Sequence, residues 1–376
     1  MPNNELAARL KAAREALGLT LGDAAKKVGF PHYQTLTSIE NGEREVKASE
    51  LSKFSKAYFI SLNRLLGDEQ LQLSNAFLWR NPPQAESKKQ IEAEIYYRCE
   101  QFHLLEKLLN LKAKKGTFID VSIDDISSNN EITTLSEKLR DYLSLGSRPA
   151  FTMQKVLEQD FGVKILFETM PAGSAVSTCN PEFGSVIVIN SEEAPWRRNY
   201  DLAHELFHLV TWKAVSLKDL EDQSYFNDIE KKAERFASIL LLPGNDVKKE
   251  VLERIETQKQ FTYSDVVDIA MEFGVSAKAL LYRMANLRLL AWEEADRIAK
   301  DEELTEISRH KRQDEKGEKP KSERFISLAV RCLRKGLISR GKFAEMVSID
   351  RSDIDDFIEE TGLMELEGNP IEIMAS

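Results

Sequence analysis

At 376 residues, 42% hydrophobic and 30% charged, the chain is long enough for two or three packed domains, each with its own core. No uninterrupted apolar run reaches the roughly 18 residues of a membrane span, so a soluble chain with no membrane partner is expected. The net charge of −10 argues against nonspecific nucleic-acid binding by the whole molecule, but residues 1–66 carry ten Lys or Arg against seven Asp or Glu, leaving −13 on the rest.

The start MPNNELAARL lacks the basic opening and apolar stretch of a secretory signal. Cys99, Cys179 and Cys332 are far apart and odd in number. Together these point to a reducing cytoplasm, no disulfide framework and no cysteine-ligated metal.

From Glu5 to Leu66 short helical patterns alternate with turn signals. ELAARLKAAREALG stops at Gly18, and TLGDAAKKVG has a cap candidate in Thr20 and stops at Gly29. HYQTLTSIENG supplies a third helix, and ASELSKFSKAYFISLNRLL adds two more. Five short helices with a tight turn between the second and third fit a helix-turn-helix domain over 1–68. In such a domain the start of the third helix enters the major groove of double-stranded operator DNA. Tyr33, Gln34, Thr37 and Ser38 would then meet base edges, with Arg14, Lys26 and Arg44 as phosphate contacts.

A helical connector is expected over 69–134. Residues 84–111 carry an apolar stripe of Ile91, Ile95, Cys99, Phe102, Leu105 and Leu109, while 113–135 is broken by Gly, Ser and Asn and is expected to be irregular. From Leu135 two helices, LSEKLRDYLSL and MQKVLEQDFG, precede three strand candidates, VKILFET, SAVSTC and SVIVIN, giving an α+β unit over 135–245. SVIVIN is expected as a core strand; a sheet-edge position, where it would pair with an extended substrate, is the second option. After Pro243 the pattern is helical, with a module over 246–307, a charged linker over 308–324 and a C-terminal module over 325–376. An internal echo links three places: Ala25 lies four before Gly29, Ala270 four before Gly274, and Ala344 four before Ser348. Only the first has basic surroundings, so the later two are expected to serve packing or homodimerisation. The fold class is therefore α+β and predominantly helical.

NYDLAHELFHLVTW, 199–212, places His204 and His208 four apart, on one face of a helix, where both can reach one ion. Zinc accepts neutral imidazole, and a catalytic site needs a third protein ligand and an open position. Glu205, roughly 100° round from His204, suits a general base rather than a ligand. Downstream, DIEKKAERFASILLLPG offers Glu230 and Glu234, again four apart, so that one can bind zinc while the other accepts a hydrogen bond from a ligand histidine. Two histidines on an ordinary amphipathic helix is the competing reading of the first stretch, and a solvated face that of the second. Stabilising the oxyanion of peptide hydrolysis calls for a further donor, and Tyr200, Arg197, Arg198 and Tyr225 are candidates that spacing cannot rank.

NYDLAHELFHLVTW followed by EKKAERFASILLLP resembles the ImmA/IrrE family of zinc metallopeptidases, with its H-E-x-x-H, then E-x-x-A-[ND]-x-F-A and a terminal L-x-P. The resemblance runs from about Leu135 to Pro243. It implies a zincin-like core of the gluzincin kind, Glu230 as third zinc ligand, Glu205 as catalytic base, and Glu234, where the family has Asn or Asp, as partner of His204. LGLTLGDAAKKVGFPHYQTLTSIENG resembles XRE-type helix-turn-helix regulators, departing from them at Leu21, a position often polar, and in the acidic GERE loop. The combination implies a DNA-binding regulator with a zinc endopeptidase domain that cuts a regulatory protein, such as a repressor or itself. The alternative is a transcription factor or antitoxin-like regulator whose metal site is structural or sensory.

Overall fold

The computed structural model describes residues 3–67, 77–80, 85–111, 118–170, 173–216, 219–313 and 320–362. The chain divides into two compact units, one of residues 1–100 and 113–320, the other of 101–112 and 321–376.

In the first unit the head consists of α1 (Asn3–Ala16), α2 (Leu21–Val28), α3 (Tyr33–Glu40), α4 (Ala48–Tyr58) and α5 (Leu62–Leu66), the five helices expected. Thr20 caps α2 by accepting from the Asp23 amide, and Gly29 ends it in the left-handed region at φ 84°. Leu10, Leu36, Ile39, Phe54, Tyr58 and Leu65 are wholly buried and form the head core. The head rests on α6 (Ala85–Leu108), whose residues up to Glu100 belong to this unit. Ala93 packs against the head core, Lys27 donates to Gln90 at 2.9 Å, and Arg64 pairs with Glu100 at 3.2 Å while lying 4.9 Å over the Tyr96 ring.

The body is α+β, as the sequence implied. Its helix α7 begins at Asn129 and runs to Tyr142, six residues earlier than expected, because the Ser128 hydroxyl caps it by accepting from Glu131 N and Ile132 joins the core. A short 3-10 turn at Asp124–Ile126 precedes it, so 113–135 is not wholly irregular; residues 112–117 lie outside the described residues. Then come α8 (Pro149–Gln159), β2 (Lys164–Glu168), β3 (Ala175–Asn180), β4 (Gly184–Asn190), α9 (Pro195–Val210) and α10 (Gln223–Leu241).

A fourth strand, β1 (Leu78–Arg80), was not expected, and it completes a sheet of order β1-β3-β4-β2. β4 carries SVIVIN and lies between β3 and β2, so it has no free edge for a substrate; it is the core strand. Ile165, Ile187 and Ile189 of the sheet share one core with Leu202, Ala203 and Leu206 of α9, and that core continues through Val247, Ile269, Leu280 and Leu304. The later helices are α11 (Gly244–Gln258), α12 (Tyr263–Glu272), α13 (Ala277–Asn286), α14 (Trp292–Ala299) and α15 (Glu302–Lys311).

The charged segment from 308 does not begin as a linker. Residues 308–311 complete α15, Lys311 pairs with Asp268 at 2.5 Å, and the buried Arg312 donates to the Val275 carbonyl at 2.6 Å beside the Trp196 ring. Their charges find partners on α12 and the turn after it, which composition cannot reveal; 314–319 lie outside the described residues.

In the second unit α16 (Glu323–Arg334), α17 (Arg340–Val347) and α18 (Ile354–Glu360) pack with the end of α6. Phe102 meets Phe325 at 5.5 Å, and Arg324 pairs with Glu106 at 2.6 Å. The three echoed turns share one hydrogen bond: Phe30 to Ala25 O at 2.8 Å, Val275 to Ala270 O at 2.9 Å, and Ile349 to Ala344 O at 3.0 Å, each donor being the backbone amide. All three cysteines are free thiols.

Candidate metal centre and nucleic-acid interface

Pro195 at the first turn fixes the start of α9, since it lacks the amide that would be orphaned there. Ten consecutive residues, Asp201–Val210, are buried, so the helix is enclosed and carries its polar groups inside. α10 starts at the Asp222 cap, which accepts from Tyr225 N, and returns alongside with Ala233, Phe236 and Ala237 in the core. Phe207 and Phe236 rings meet at 5.5 Å and lock the two helices.

This packing brings His204, His208 and Glu230 together. Their ligand atoms gather closely, with one Glu230 oxygen facing each imidazole: His204 Nε2 lies 3.2 Å from His208 Nε2 and 3.2 Å from Glu230 Oε2, and His208 Nε2 lies 3.1 Å from Glu230 Oε1. A separation of that length is the edge of a tetrahedron with bonds of about 2 Å, which is the size zinc requires. Among the described residues no other set of three His, Cys, Asp or Glu gathers in this way. Burial alone would raise the Glu230 carboxyl, but hydrogen bonds from both histidines outweigh it and hold the group down at about 2, so it is an anion at neutral pH.

Glu205 is wholly buried, and among the described residues neither carboxylate oxygen has a hydrogen-bond partner. Such a group costs stability unless something else, a water or an ion, completes it. Burial pushes it up to about 7; His208 and the Ser177 hydroxyl pull part of the way back. Ser177, also fully buried on β3, lies beside this carboxyl without reaching hydrogen-bond geometry, and the sequence pattern did not single it out.

The remaining expected residues separate. Glu234 is exposed, and only its backbone carbonyl reaches α9, accepting from Tyr200 Oη at 2.8 Å. The expected bond from His204 to its carboxylate is not made: Glu234 lies about 6 Å farther along the helix than Glu230, and its side chain is exposed there. Tyr200 is thereby engaged. Arg197 pairs with the buried Asp201 at 3.5 Å, and Arg198 donates to the Glu193 carbonyl at 2.7 Å. Tyr225 is half-buried against the core, five residues before Glu230, and has no side-chain hydrogen bond among the described residues.

In the head, Tyr33, Gln34 and Lys26 are exposed. Thr37 Oγ1 bonds back to the Tyr33 carbonyl at 3.2 Å, and Ser38 is half-buried, its carbonyl accepting from Glu43 and Arg44 amides. Arg14 is a correction. Its guanidinium is buried, donating to both oxygens of the buried Glu40 at 2.7 and 3.0 Å and to the Leu19 carbonyl at 2.9 Å, so its donors are spent inside the fold. The Glu40 bond is the main reason that its pKa is raised. Arg44 is also occupied in part, pairing with Glu50 at 2.7 Å and leaning on Phe30.

Comparison with known proteins finds matches for two stretches of the chain. Residues 10–65 match the helix-turn-helix family, and residues 158–285 match the IrrE N-terminal-like domain family. The radiation response metalloprotease IrrE of Deinococcus deserti is 30% identical over 129 residues, an alignment covering 33% of this chain and 43% of that protein. The chain thus spans less than half of that relative's length. No helix among the described residues is long and apolar enough to cross a membrane. One chain therefore joins a stretch that matches the helix-turn-helix family, 10–65, to a stretch that matches the IrrE N-terminal-like domain family, 158–285.

Proposed function

We propose that the protein is a DNA-binding regulator whose second domain is a zinc-dependent endopeptidase acting on a regulatory protein, a repressor or the chain itself. The observation that carries this reading is the His204, His208 and Glu230 cluster with the uncompensated carboxyl of Glu205 beside the histidines on α9. Zinc fits the donor set: two imidazoles presenting Nε2, one anionic carboxylate, and separations matching a tetrahedral ion. When bound, the ion supplies a Lewis acid that polarises a peptide carbonyl and acidifies water.

The chain's own groups do the rest. His204 and His208 must be neutral, with the proton on Nδ1, to leave Nε2 free. Glu205, buried beside the histidines on α9, accepts the proton of the attacking water and returns it to the departing amide nitrogen. Of the four expected oxyanion donors, Tyr225 is the one we assign, since the side chains of the other three are already engaged. In the head, Gln34 reads base edges with Tyr33, and Lys26 holds phosphate. The helices from Gly244 to Lys311 share the peptidase core.

The second reading, a metal site that is structural or sensory, needs ligands but gives no purpose to a buried Glu205. Elemental analysis of purified protein should give one zinc per chain, lost in His204→Ala and Glu230→Ala. Glu205→Gln should keep zinc and lower cleavage of the regulatory target by about 10²–10⁴-fold. Cleavage at the wild-type rate by that variant would overturn the general-base role of Glu205, whereas zinc retention with no cleavage of any regulatory protein by the wild type would leave the structural or sensory reading.

A further inference from the structure

β1 is the strand that neither the helix-turn-helix domain nor the peptidase core requires. It lies in sequence between the two matched regions, outside both. It is three residues long, beside six in β3 and seven in β4, and it pairs antiparallel along the outer edge of β3. The register sets Leu78 opposite Ser177, Trp79 opposite Val176 and Arg80 opposite Ala175.

Cross-strand partners point to the same face of a sheet. Leu78 therefore shares the face of Ser177, the side on which Ser177 adjoins the Glu205 carboxyl. Trp79 points the other way. It is buried, and its Nε1 donates to Glu92 Oε1 at 2.8 Å. A strand so short contributes few ladder bonds, and the one side-chain hydrogen bond found for it among the described residues is that of Trp79.

We propose that β1 is a resident occupant of the β3 edge, holding in place of an extended peptide the position beside Glu205, and that its departure opens that edge to a peptide strand. Backbone pairing along an exposed edge is a general way to bind extended peptide, with alternate side chains giving selectivity. The chemistry β1 itself satisfies defines what the edge takes: an extended segment with an apolar residue over Ser177 and a large aromatic on the opposite face. This inference rests on the peptidase reading only for the edge's purpose, because occupancy can be read without metal or cleavage.

The probe is a fluorescein-labelled synthetic peptide copying residues 74–81, SNAFLWRN, followed by anisotropy with the full chain. Trp79→Ala, which removes the anchor, should bind it at least tenfold tighter than wild type, whereas Trp79→Phe should stay near wild type. A locked form keeps the test decisive if the alanine variant folds poorly. In Trp79→Cys/Val176→Cys the two positions are directly opposed, at a separation a disulfide can span. The oxidised protein should refuse the peptide and the reduced protein accept it, again with at least a tenfold difference. Equal affinity in the two redox forms, or failure of the pair to crosslink, would overturn the proposal. Peptide binding by the reduced form with no cleavage of any substrate would uphold the occupied edge and sink the peptidase reading instead.

Discussion

Gly274 and Gly29 occupy the same position in two copies of one turn, and their surroundings make substitution by alanine unequal. Both have positive φ, 66° and 84°, so a Cβ at either costs about 1–2 kcal/mol in backbone strain. At Gly29 a Cβ would meet nothing within 4 Å. At Gly274 it would lie 2.9 Å from Ala150 Cβ, 2.9 Å from Asn199 Nδ2 and 3.2 Å from the Phe151 ring. Relieving that overlap costs about 1–3 kcal/mol more, and the hydrogen bond from Asn199 to the Gly274 carbonyl adds about 1 if it breaks. The expected loss is roughly 2–6 kcal/mol for Gly274→Ala against about 1–2 for Gly29→Ala. Trp196, Trp212 and Trp292 lie in the body and no tryptophan lies in the head, so urea unfolding by fluorescence reads the first. Amide exchange in α2 and α3 reads the second. Asn199 is five residues before His204, so Gly274→Ala should also weaken zinc retention. A loss at Gly274 no larger than that at Gly29 would refute the packing argument.

Arg14→Ala leaves Glu40 buried without its partner and should cost the head about 3–5 kcal/mol, read by amide exchange. Loss of DNA affinity with unchanged stability would instead return Arg14 to the phosphate backbone. On the proposed function, Lys26→Ala should weaken all DNA sequences and reduce the salt slope by about 1, while Gln34→Ala should weaken the preferred site by about 1–3 kcal/mol; the reverse pattern would exchange their roles. Burial, helped by Glu182 and opposed by Arg64, pushes Glu100 up to about 7. A carboxyl raised in the folded state is stabilising while protonated in that state. Its contribution, roughly 3 kcal/mol, is present below the unfolded value near 4.5 and lost as pH rises through about 7. Glu100→Gln should flatten the stability profile between about pH 5 and 7, and an unchanged slope would contradict that burial effect.

Much of this was legible where chemistry follows chain spacing. His204 and His208 share a face because they are four apart, and Gly29 and Gly274 declare their turns because few other residues accept that backbone. Glu230 was recognisable from its place in a motif, and its geometry was not. What escaped depended on distant partners. Arg14 reads as surface charge until Glu40 arrives from 26 residues away. β1 is too short for any periodicity, and Ser177 is an ordinary strand residue until α9 lies over it. Glu234 shares the helix face of Glu230, but about 6 Å farther along the axis it is exposed and lies outside the metal-ligand cluster.

The seating of the head on α6, through Ala93, Lys27 with Gln90, and Arg64 with Glu100, gives the proposed function a further property. A domain clamped at several points does not swivel as one on a flexible tether would, so on a DNA duplex it carries the peptidase at a set azimuth. Separation between two bound proteins then becomes rotation around the duplex. Cleavage of a target bound nearby should rise and fall with the spacing between sites, repeating every 10–10.5 base pairs, roughly one helical turn.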